Sequence, residues 1–350
     1  MNSLYDNVNI EGFGYELPPE KLSSRDLEKM LEPAYRRLKL PEGRLELMTG
    51  ISERRLWKPG FRPSSGAAIA GRKALESTGF PKELIGCLIM CSVSRDFLEP
   101  ASATVVHNAL GIPEDAIVFD ISNACLGVLT GMIAAANMIE LGQISAALIV
   151  AGENSRPLME STVKAINENE TLDRRTIKPY FSSLTIGSGA VAVILANRNV
   201  SRTAHRLLGG TSMAVTKYNE LCQGNDDKGM SDNLDTLMMT DSENLMLKGV
   251  DVAGQTWEKV KRLLKWTDDS PNCFCTHQVG LSHKKLLFES LNLKLEKDFQ
   301  TLPFLGNTGS VSCPVTAAMA IEKGATGPGD TIALLGIGSG INCTMLGVKW

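Results

Sequence analysis

The chain has 350 residues, of which 43% are hydrophobic and 21% charged, and its formal net charge is −3. This composition is typical of a globular protein with a large core, and it excludes the strong basic field that nucleic-acid binding requires. No apolar run approaches the length of a membrane-spanning helix, and the first residues lack the pattern of a signal peptide. We therefore expect a cytoplasmic protein with no transmembrane segment and no nucleic-acid partner.

The eight cysteines do not indicate a metal site. Two close pairs occur, Cys87 with Cys91 and Cys273 with Cys275, but neither interval matches a zinc pattern and both pairs lie in apolar runs. Without a secretion signal, cysteines are expected to be reduced thiols. The sequence predicts buried, unpaired cysteines and no bound metal.

Strand-like and helix-like segments alternate along the chain, which indicates an α/β architecture. The strand candidates are short, continuously apolar runs, and such runs are typical of a sheet that is covered on both faces. The clearest are Leu88–Ser92, Ala146–Ala151, Ala190–Leu195 and Thr331–Gly336.

One pattern of segments occurs twice. Residues 147–152 resemble residues 333–338 at an offset of 186, and the same offset places 88–91 on 274–277. A small-residue-rich helix candidate lies between the paired segments in each half. We predict two copies of one α/β unit, joined near residues 197–206, with an N-terminal half over 1–200 and a C-terminal half over 201–350. The alternative is that these short apolar segments resemble each other by chance.

Two long polar stretches, 154–183 and 211–249, interrupt this pattern and are candidates for a lid or a substrate channel. The second contains four methionines, which line either an alkyl-chain tunnel or an ordinary core: Met230, Met238, Met239 and Met246.

Cys125 lies at the turn between a strand-like and a helix-like part of the segment 119–132. A thiol at the start of a helix is close to unpaired backbone N–H groups and to the positive end of the helix dipole, and both favour the thiolate. The sequence therefore predicts a nucleophile at this position. An inert, buried cysteine is the alternative.

His277 and Asn307 are the other candidates for chemistry. His277 follows the apolar residues 274–276 and so stands at the carboxyl end of a predicted strand, where ligands bind in α/β sheets. Asn307 lies in a Gly- and Ser-rich loop that leads into a helix, where it either caps the chain or donates its N–H₂ group to an oxyanion. A single histidine is more often structural.

The segment Gly336–Gly340 reads Gly-Ile-Gly-Ser-Gly. It lacks the lysine of a phosphate-binding loop, and no convincing helix follows it. Its exposed backbone N–H groups are better suited to a thioester carbonyl.

The order Cys, His and Asn, closed by Gly-Ile-Gly-Ser-Gly, resembles the ketoacyl-ACP synthase III branch of the thiolase superfamily over essentially the whole chain. Residues 10–18 and Gly50–Arg55 are similar to that family's opening strand and Gly-Ile-x-x-Arg-Arg element. The resemblance implies a five-layered αβαβα sandwich of two pseudo-repeats, an obligate homodimer and no permanently bound cofactor.

The resemblance also implies roles for individual residues. Cys125 would be acylated, and His277 and Asn307 would stabilise the enolate of a second thioester. The backbone N–H groups of Cys125 and Ser339 would form the oxyanion hole for acyl transfer. The substrates would be thioesters of coenzyme A (CoA) or of acyl carrier protein (ACP).

Within this branch, Ser92–Pro100 is similar to a segment of the olefin-biosynthesis thiolases of the OleA type, which carries a glutamate that reaches the partner subunit's site. Joining two ordinary acyl thioesters requires the removal of an α-proton and therefore a general base. Glu99 supplies a carboxylate at that place, although a turn residue before Pro100 is the plainer interpretation. We predict head-to-head condensation of two acyl-CoA molecules without decarboxylation, giving a β-ketoacyl product.

The nucleotide end of the thioester has weaker candidates. Some synthase III enzymes carry a tryptophan before the Gly-Ile element, and Leu45–Met48 contains none. Arg54, Arg55 and Lys58 are candidate contacts for the CoA phosphates, although exposed basic residues are usually only solvated.

Three other functions stay open at this point. The chain could be a decarboxylating synthase III that extends with malonyl-ACP, or a thioesterase or acyltransferase that forms no carbon–carbon bond. It could also be a non-catalytic dimeric partner on the same fold.

Overall fold

Fourteen strands and eleven α-helices alternate along residues 1–224 and 237–350, which are the residues that the computed structural model describes. The strands are β1 (Asn2–Leu4), β2 (Val8–Glu16), β3 (Glu20–Ser23), β4 (Glu53–Leu56), β5 (Ile85–Met90), β6 (Ile117–Asp120), β7 (Ala146–Glu153), β8 (Gly189–Asn197), β9 (Arg206–Ala214), β10 (Cys222–Gly224), β11 (Met238–Thr240), β12 (Cys273–Thr276), β13 (Thr331–Gly338) and β14 (Asn342–Lys349). The helices are α1 (Ser24–Met30), α2 (Glu32–Leu38), α3 (Arg44–Thr49), α4 (Pro63–Thr78), α5 (Ala103–Leu110), α6 (Gly127–Glu140), α7 (Arg156–Glu168), α8 (Ser242–Leu264), α9 (Leu281–Ser290), α10 (Leu302–Leu305) and α11 (Ser312–Glu322).

Two groups of four strands have the same arrangement, and each group has one additional strand. The first runs β6-β5-β7-β8-β2, and the second runs β12-β13-β14-β9 with β1 paired to β9. In each group a parallel pair, β5 with β7 or β12 with β13, is followed by two antiparallel pairings. The additional strand is β6, parallel to β5, in the first group and β1, antiparallel to β9, in the second. The groups meet where Asn9 of β2 pairs with Arg206 of β9. This topology agrees with the duplicated unit that the sequence predicts.

The predicted offset of 186 residues holds for one strand of the unit and is one residue too long for the next. Met90 and Thr276, the last residues of β5 and β12, are 186 positions apart. Ala146 and Thr331, the first residues of β7 and β13, are 185 positions apart, and both strands have eight residues. The segment between β12 and β13 is therefore one residue shorter than the segment between β5 and β7.

Three apolar cores separate five layers. On β5, Leu88 packs with α4 and α5, whereas Ile89 packs with α6 and α11 in the central core. On β12, Phe274 packs with α8 and α9, whereas its neighbours face the central core. Side chains on a strand alternate between its faces, so each apolar run supplies two cores. The five-layered αβαβα sandwich predicted from the sequence is confirmed.

The interrupting stretches contain more regular structure than their polarity predicts. Residues 154–183 include the helix α7, and residues 211–249 include β10, β11 and the start of α8. Met230 lies outside the described residues, and Met239 on β11 is 44% exposed. Among the helices that are described, none has the length and apolarity needed to cross a membrane.

Candidate active site

Cys125 lies in a tight turn, the Cys125 loop (residues 121–126), that joins β6 to α6. The turn is closed by hydrogen bonds from Leu126 N to Asn123 O (2.9 Å) and from Gly127 N to Ala124 O (3.3 Å), and Ala124 adopts a left-handed conformation with φ 44°. A Cβ atom on Gly127 would lie 2.4 Å from the backbone oxygen of Cys91. Glycine therefore lets α6 start directly against the end of β5, which fixes the position of Cys125.

The resting thiol of Cys125 is protonated, contrary to the prediction from its place at a helix start. Burial, followed by the nearby Glu153 and Cys222, raises its pKa to about 12. A hydrogen bond from the backbone N–H of Cys125 lowers the pKa, but by less than burial raises it. Desolvation of the anion therefore outweighs the helix terminus at this site.

We predict that alkylation of Cys125 by iodoacetamide accelerates about tenfold per pH unit between pH 7 and pH 9. Below its pKa a thiol gains thiolate in proportion to hydroxide concentration, and the thiolate is the nucleophile. The rate would be followed by intact mass, with Cys125→Ala to identify alkylation of other cysteines. A rate that is already constant above pH 7 would contradict the high pKa.

His277 directly follows β12 and is 5% exposed. Its backbone N–H donates to Leu335 O of β13 at 2.9 Å. Burial, and next the charge of His283, lowers the pKa of His277 to about 3, so the imidazole is neutral at pH 7. Within the described part of the chain, its buried Nδ1 has no hydrogen-bond partner. This histidine can therefore act as a neutral hydrogen-bonding group toward a ligand.

Asn307 is held by its backbone and by one side-chain oxygen. Its N–H donates to Thr185 O (2.9 Å), and its carbonyl accepts from Gly187 N (2.8 Å). Its Oδ1 accepts the N–H of Gly309 at 3.0 Å. Because Oδ1 is occupied, the orientation of the carboxamide is set and its N–H₂ group is the part that can donate to a substrate.

Ser339 lies in the turn between β13 and β14, next to the Cys125 loop. Asn342 Nδ2 donates both to Asn123 Oδ1 (3.1 Å) and to Ser339 O (3.3 Å), so one amide ties the two loops together. A Cβ atom on Gly338 would lie 3.6 Å from Cys125 N. The backbone of the Gly-rich segment therefore passes beside the nucleophile.

The carboxyl end of β13 is where these groups converge. His277 is bonded to β13 at Leu335, and Gly338 of the same strand lies against Cys125. Helix α6 also contacts the turn 309–311 that follows Asn307. Ligands bind at this edge in α/β sheets. The structure thus brings four of the predicted residues to one place: Cys125, His277, Asn307 and Ser339.

Glu99 is not part of this group within the single chain. It is exposed at the tip of the Glu99 loop (residues 91–102), between β5 and α5. Carboxylates fix the end and the middle of this loop: Asp120 accepts the N–H groups of Ser102 and Ala103, both at 2.8 Å, and Asp96 bonds to Ser64. Glu99 therefore projects outward from a firmly held loop.

The candidate phosphate contacts need correction. Arg54 is 1% exposed and donates to Leu22 O (3.4 Å) and Ser24 Oγ (3.0 Å), and burial lowers its pKa to about 10. A side chain so placed supports the interior and does not face a ligand at the surface. Arg55 is half-buried and donates to Pro18 O at 3.3 Å, and Lys58 is exposed.

The buried carboxylate Glu153 was not among the predicted site residues. It is the last residue of β7, is 5% exposed, and lies close enough to Cys125 to raise the pKa of that thiol. Its position has a sequence signal, because a carboxylate ends an otherwise apolar strand. Among the described residues, no three His, Cys, Asp or Glu side chains are grouped so as to hold a metal ion.

Family models of 3-oxoacyl-ACP synthase III match both parts of the chain. The model of the C-terminal part matches residues 263–350, and the second model matches residues 119–211. The chain belongs to the 3-oxoacyl-ACP synthase III family of the thiolase superfamily, and its relatives and its thiolase-like fold confirm the resemblance seen in the sequence.

The similar proteins include two named acyl-CoA:acyl-CoA alkyltransferase. The protein of Shewanella oneidensis is 41% identical over 349 residues, covering 99% of each chain, and that of Xanthomonas campestris is 35% identical, covering 99% of this chain and 100% of the relative. A crystal structure of Xanthomonas campestris OleA with bound lauric acid and lauroyl-CoA superposes with a TM-score of 0.93, at 35% identity and with 99% and 100% of the two chains covered. Other structures of that protein carry replacements of a glutamate and a cysteine that are 26 positions apart.

Proposed function

We propose that this protein joins two acyl-CoA thioesters head to head, without decarboxylation, through an acyl group on Cys125. The observation that carries the proposal is the convergence of Cys125, His277 and the Asn307 turn on the carboxyl end of β13. The names of the similar proteins and the lauroyl-CoA bound to OleA support CoA thioesters as substrates. A nucleophile and two enolate-binding groups are the components that such a condensation requires.

In the first half-reaction the sulfur of Cys125 attacks the carbonyl carbon of an acyl-CoA. The carbonyl oxygen is stabilised by the backbone N–H groups of Cys125 and Ser339, the carbon–sulfur bond to CoA breaks, and CoA leaves as its thiol with the proton of Cys125. Because the thiol of Cys125 is protonated at rest, the loss of its proton accompanies the attack.

In the second half-reaction a carboxylate removes an α-proton from a second acyl-CoA. His277 and Asn307 hold the resulting enolate oxygen, and the α-carbon attacks the thioester on Cys125. The new carbon–carbon bond forms as the bond to Cys125 sulfur breaks, and the α-proton passes from the carboxylic acid to the thiolate of Cys125, which regenerates both groups. The product is a β-ketoacyl thioester, which can be hydrolysed to the β-keto acid.

We propose that Glu99 of the partner subunit is the base, in a homodimer. Glu99 and Cys125 are 26 positions apart, as are the glutamate and the cysteine replaced in the OleA structures. The strand β6 pairs only with β5 among the described strands and leaves a sheet edge, and apolar residues beside it are exposed: Val93 55%, Leu98 49% and Ile117 49%. An open strand edge with apolar neighbours is suited to pairing with a second copy.

We place the protein in the cytoplasm. All eight cysteines are free thiols, and seven of them are not required for the proposed chemistry. Free thiols persist in reducing compartments, which supports this location.

Incubation of the protein with one saturated acyl-CoA and no malonyl donor tests the proposed function. We expect a transient acyl-enzyme on Cys125 by intact mass, release of CoA, and a β-keto product or its derived ketone by mass spectrometry. Cys125→Ala is the matched control and would give none of these three species. Release of free acid alone, without a β-keto product, would instead support a thioesterase.

A further inference from the structure

Glu153 bonds to two of the loops that carry candidate catalytic residues. Its Oε1 accepts the N–H of Val93 (2.9 Å) and the hydroxyl of Ser310 (2.5 Å), and its Oε2 accepts the N–H of Ser94 (3.0 Å). Val93 and Ser94 belong to the Glu99 loop. Ser310 belongs to the Asn307 loop (residues 306–311), in which a Cβ atom on Gly309 would lie 3.4 Å from the Glu153 carboxylate. One buried carboxylate thus joins the two loops.

Glu153 is poorly placed to act as a base itself. Both of its oxygens already accept hydrogen bonds, and its backbone carbonyl accepts from Trp57 Nε1 at 3.0 Å. Burial raises the pKa of Glu153, and the hydrogen bonds from Ser310, Val93 and Ser94 lower it by less. These bonds hold the carboxylate between the loops, so its effect on catalysis passes through the groups that it positions.

The two loops serve different active sites in the proposed dimer. Asn307 acts in the site of its own subunit, whereas Glu99 acts in the site of the partner subunit. A displacement of Glu153 would therefore disturb two groups at once. One is the Asn307 amide, which binds the enolate in the same subunit, and the other is the Glu99 base, which acts in the site of the partner subunit. Misplacement of catalytic groups by about 1 Å can cost about 10²-fold in rate.

We propose that Glu153 is a positioning residue for the condensation step. It fixes the Glu99 loop relative to the Asn307 loop, so that Glu99 and Asn307 keep their positions in the two active sites of the dimer. This inference rests on the proposed function. Acyl transfer to Cys125 uses neither Glu99 nor Asn307, so it depends much less on Glu153.

A second property makes this role measurable independently of the product. The carboxylate of Glu153 is one of the groups that raise the pKa of Cys125, together with burial and Cys222. Removal of the negative charge of Glu153 would lower the pKa of Cys125, whereas shortening the side chain with its charge kept would not. The pH profile of Cys125 alkylation therefore reports the charge of Glu153 directly.

Three variants separate the effect of the length of the Glu153 side chain from the effect of its charge. Glu153→Gln removes the charge and places an N–H₂ donor opposite the backbone N–H donors of the Glu99 loop. Glu153→Asp keeps the charge, but its side chain is shorter by one carbon–carbon bond of about 1.5 Å. Ser310→Ala removes only the link to the Asn307 loop. We expect condensation from the acyl-enzyme to fall about 10²-fold in both Glu153 variants and about tenfold in Ser310→Ala, with CoA release in the first half-reaction changed less than threefold. Alkylation of Cys125 at pH 7 would accelerate in Glu153→Gln only.

Glu140→Gln is the matched control, because Glu140 also accepts backbone N–H groups, those of Asp6 (3.2 Å) and Asn7 (2.9 Å). It lies at the far end of α6, about 20 Å from Cys125. We expect it to leave the ratio of condensation to acylation unchanged.

If both half-reactions fall equally in the Glu153 variants, or if folded Ser310→Ala condenses like wild type, the positioning role is wrong. If wild type forms no β-keto product while Cys125 is acylated, the proposed function is wrong as well. If Glu153→Gln does not fold, Glu153→Asp and Ser310→Ala decide the question.

Discussion

Replacement of Glu99 by Gln is expected to abolish condensation while Cys125 is still acylated. Glutamine keeps the shape of the side chain but cannot accept the α-proton, and the loss of a general base typically costs about 10²–10⁴-fold in rate. Glu99 is exposed, and substitutions at such positions usually change stability by less than about 0.5 kcal/mol. The variant would therefore be folded, would form the acyl-enzyme, and would release no β-keto product.

The measurement combines intact-mass detection of acyl-Cys125 with product analysis from a single acyl-CoA. Glu83→Gln, at another exposed glutamate, is the control and is expected to behave like wild type. A decarboxylating synthase would make its carbanion by loss of CO₂ and would need no base, so Glu99→Gln would then retain full activity with malonyl-ACP. Undiminished condensation of two acyl-CoA molecules by Glu99→Gln would contradict the assignment.

A mixed dimer tests where Glu99 acts. One subunit carries Cys125→Ala and the other carries Glu99→Gln, with two different affinity tags for purification. If Glu99 acts in the partner subunit's site, the mixed dimer has one complete site and about half of the wild-type activity, although each variant alone is inactive. If Glu99 acts in its own subunit, the mixed dimer has no complete site and stays inactive.

The sequence predicts the position of the candidate site better than its electrostatics. Cys125 and His277 each follow a predicted strand, and ligands bind beyond the carboxyl ends of strands in α/β sheets. The repeat also allowed the strands of the two halves to be matched within one residue. Local patterns and topology rules were sufficient for this part of the prediction.

Burial depends on residues that are far apart in the sequence, and it could not be predicted. Arg54 is enclosed by packing against Gly187 and Gly306, which lie in loops from other parts of the chain. The pKa of Cys125 is likewise set by the environment around the thiol, which includes Glu153 and Cys222. Neither effect has a signal in the neighbouring residues.

The division of the chain at residue 200 stays a prediction. The strand β1, at residues 2–4, pairs with β9 of the second group, with Asn2 opposite Thr211. The first residues of the chain therefore contribute to the sheet of the second unit, and no local composition signal predicts such a crossing.

Replacement of Asn307 by Asp is expected to reduce condensation about 10²–10³-fold, which is the usual cost of losing one oxyanion donor. The carboxylate of aspartate can still accept the N–H of Gly309, now accepted by Oδ1 at 3.0 Å. The turn should therefore keep its conformation. The N–H₂ donor is lost, and a negative charge would face the enolate oxygen, so both changes raise the energy of the enolate.

The comparison with Asn307→Ala separates the two effects of Asn307. Alanine removes the donor and also leaves Gly309 N without its side-chain acceptor, so it would lower the thermal midpoint as well as the rate. Asn307→Asp is expected to keep a midpoint near that of wild type, to acylate Cys125 at a similar rate, and to fail only in carbon–carbon bond formation. Equal loss of acylation and condensation in Asn307→Asp would mean that Asn307 shapes the whole site and does not bind the enolate, because only the second half-reaction forms an enolate.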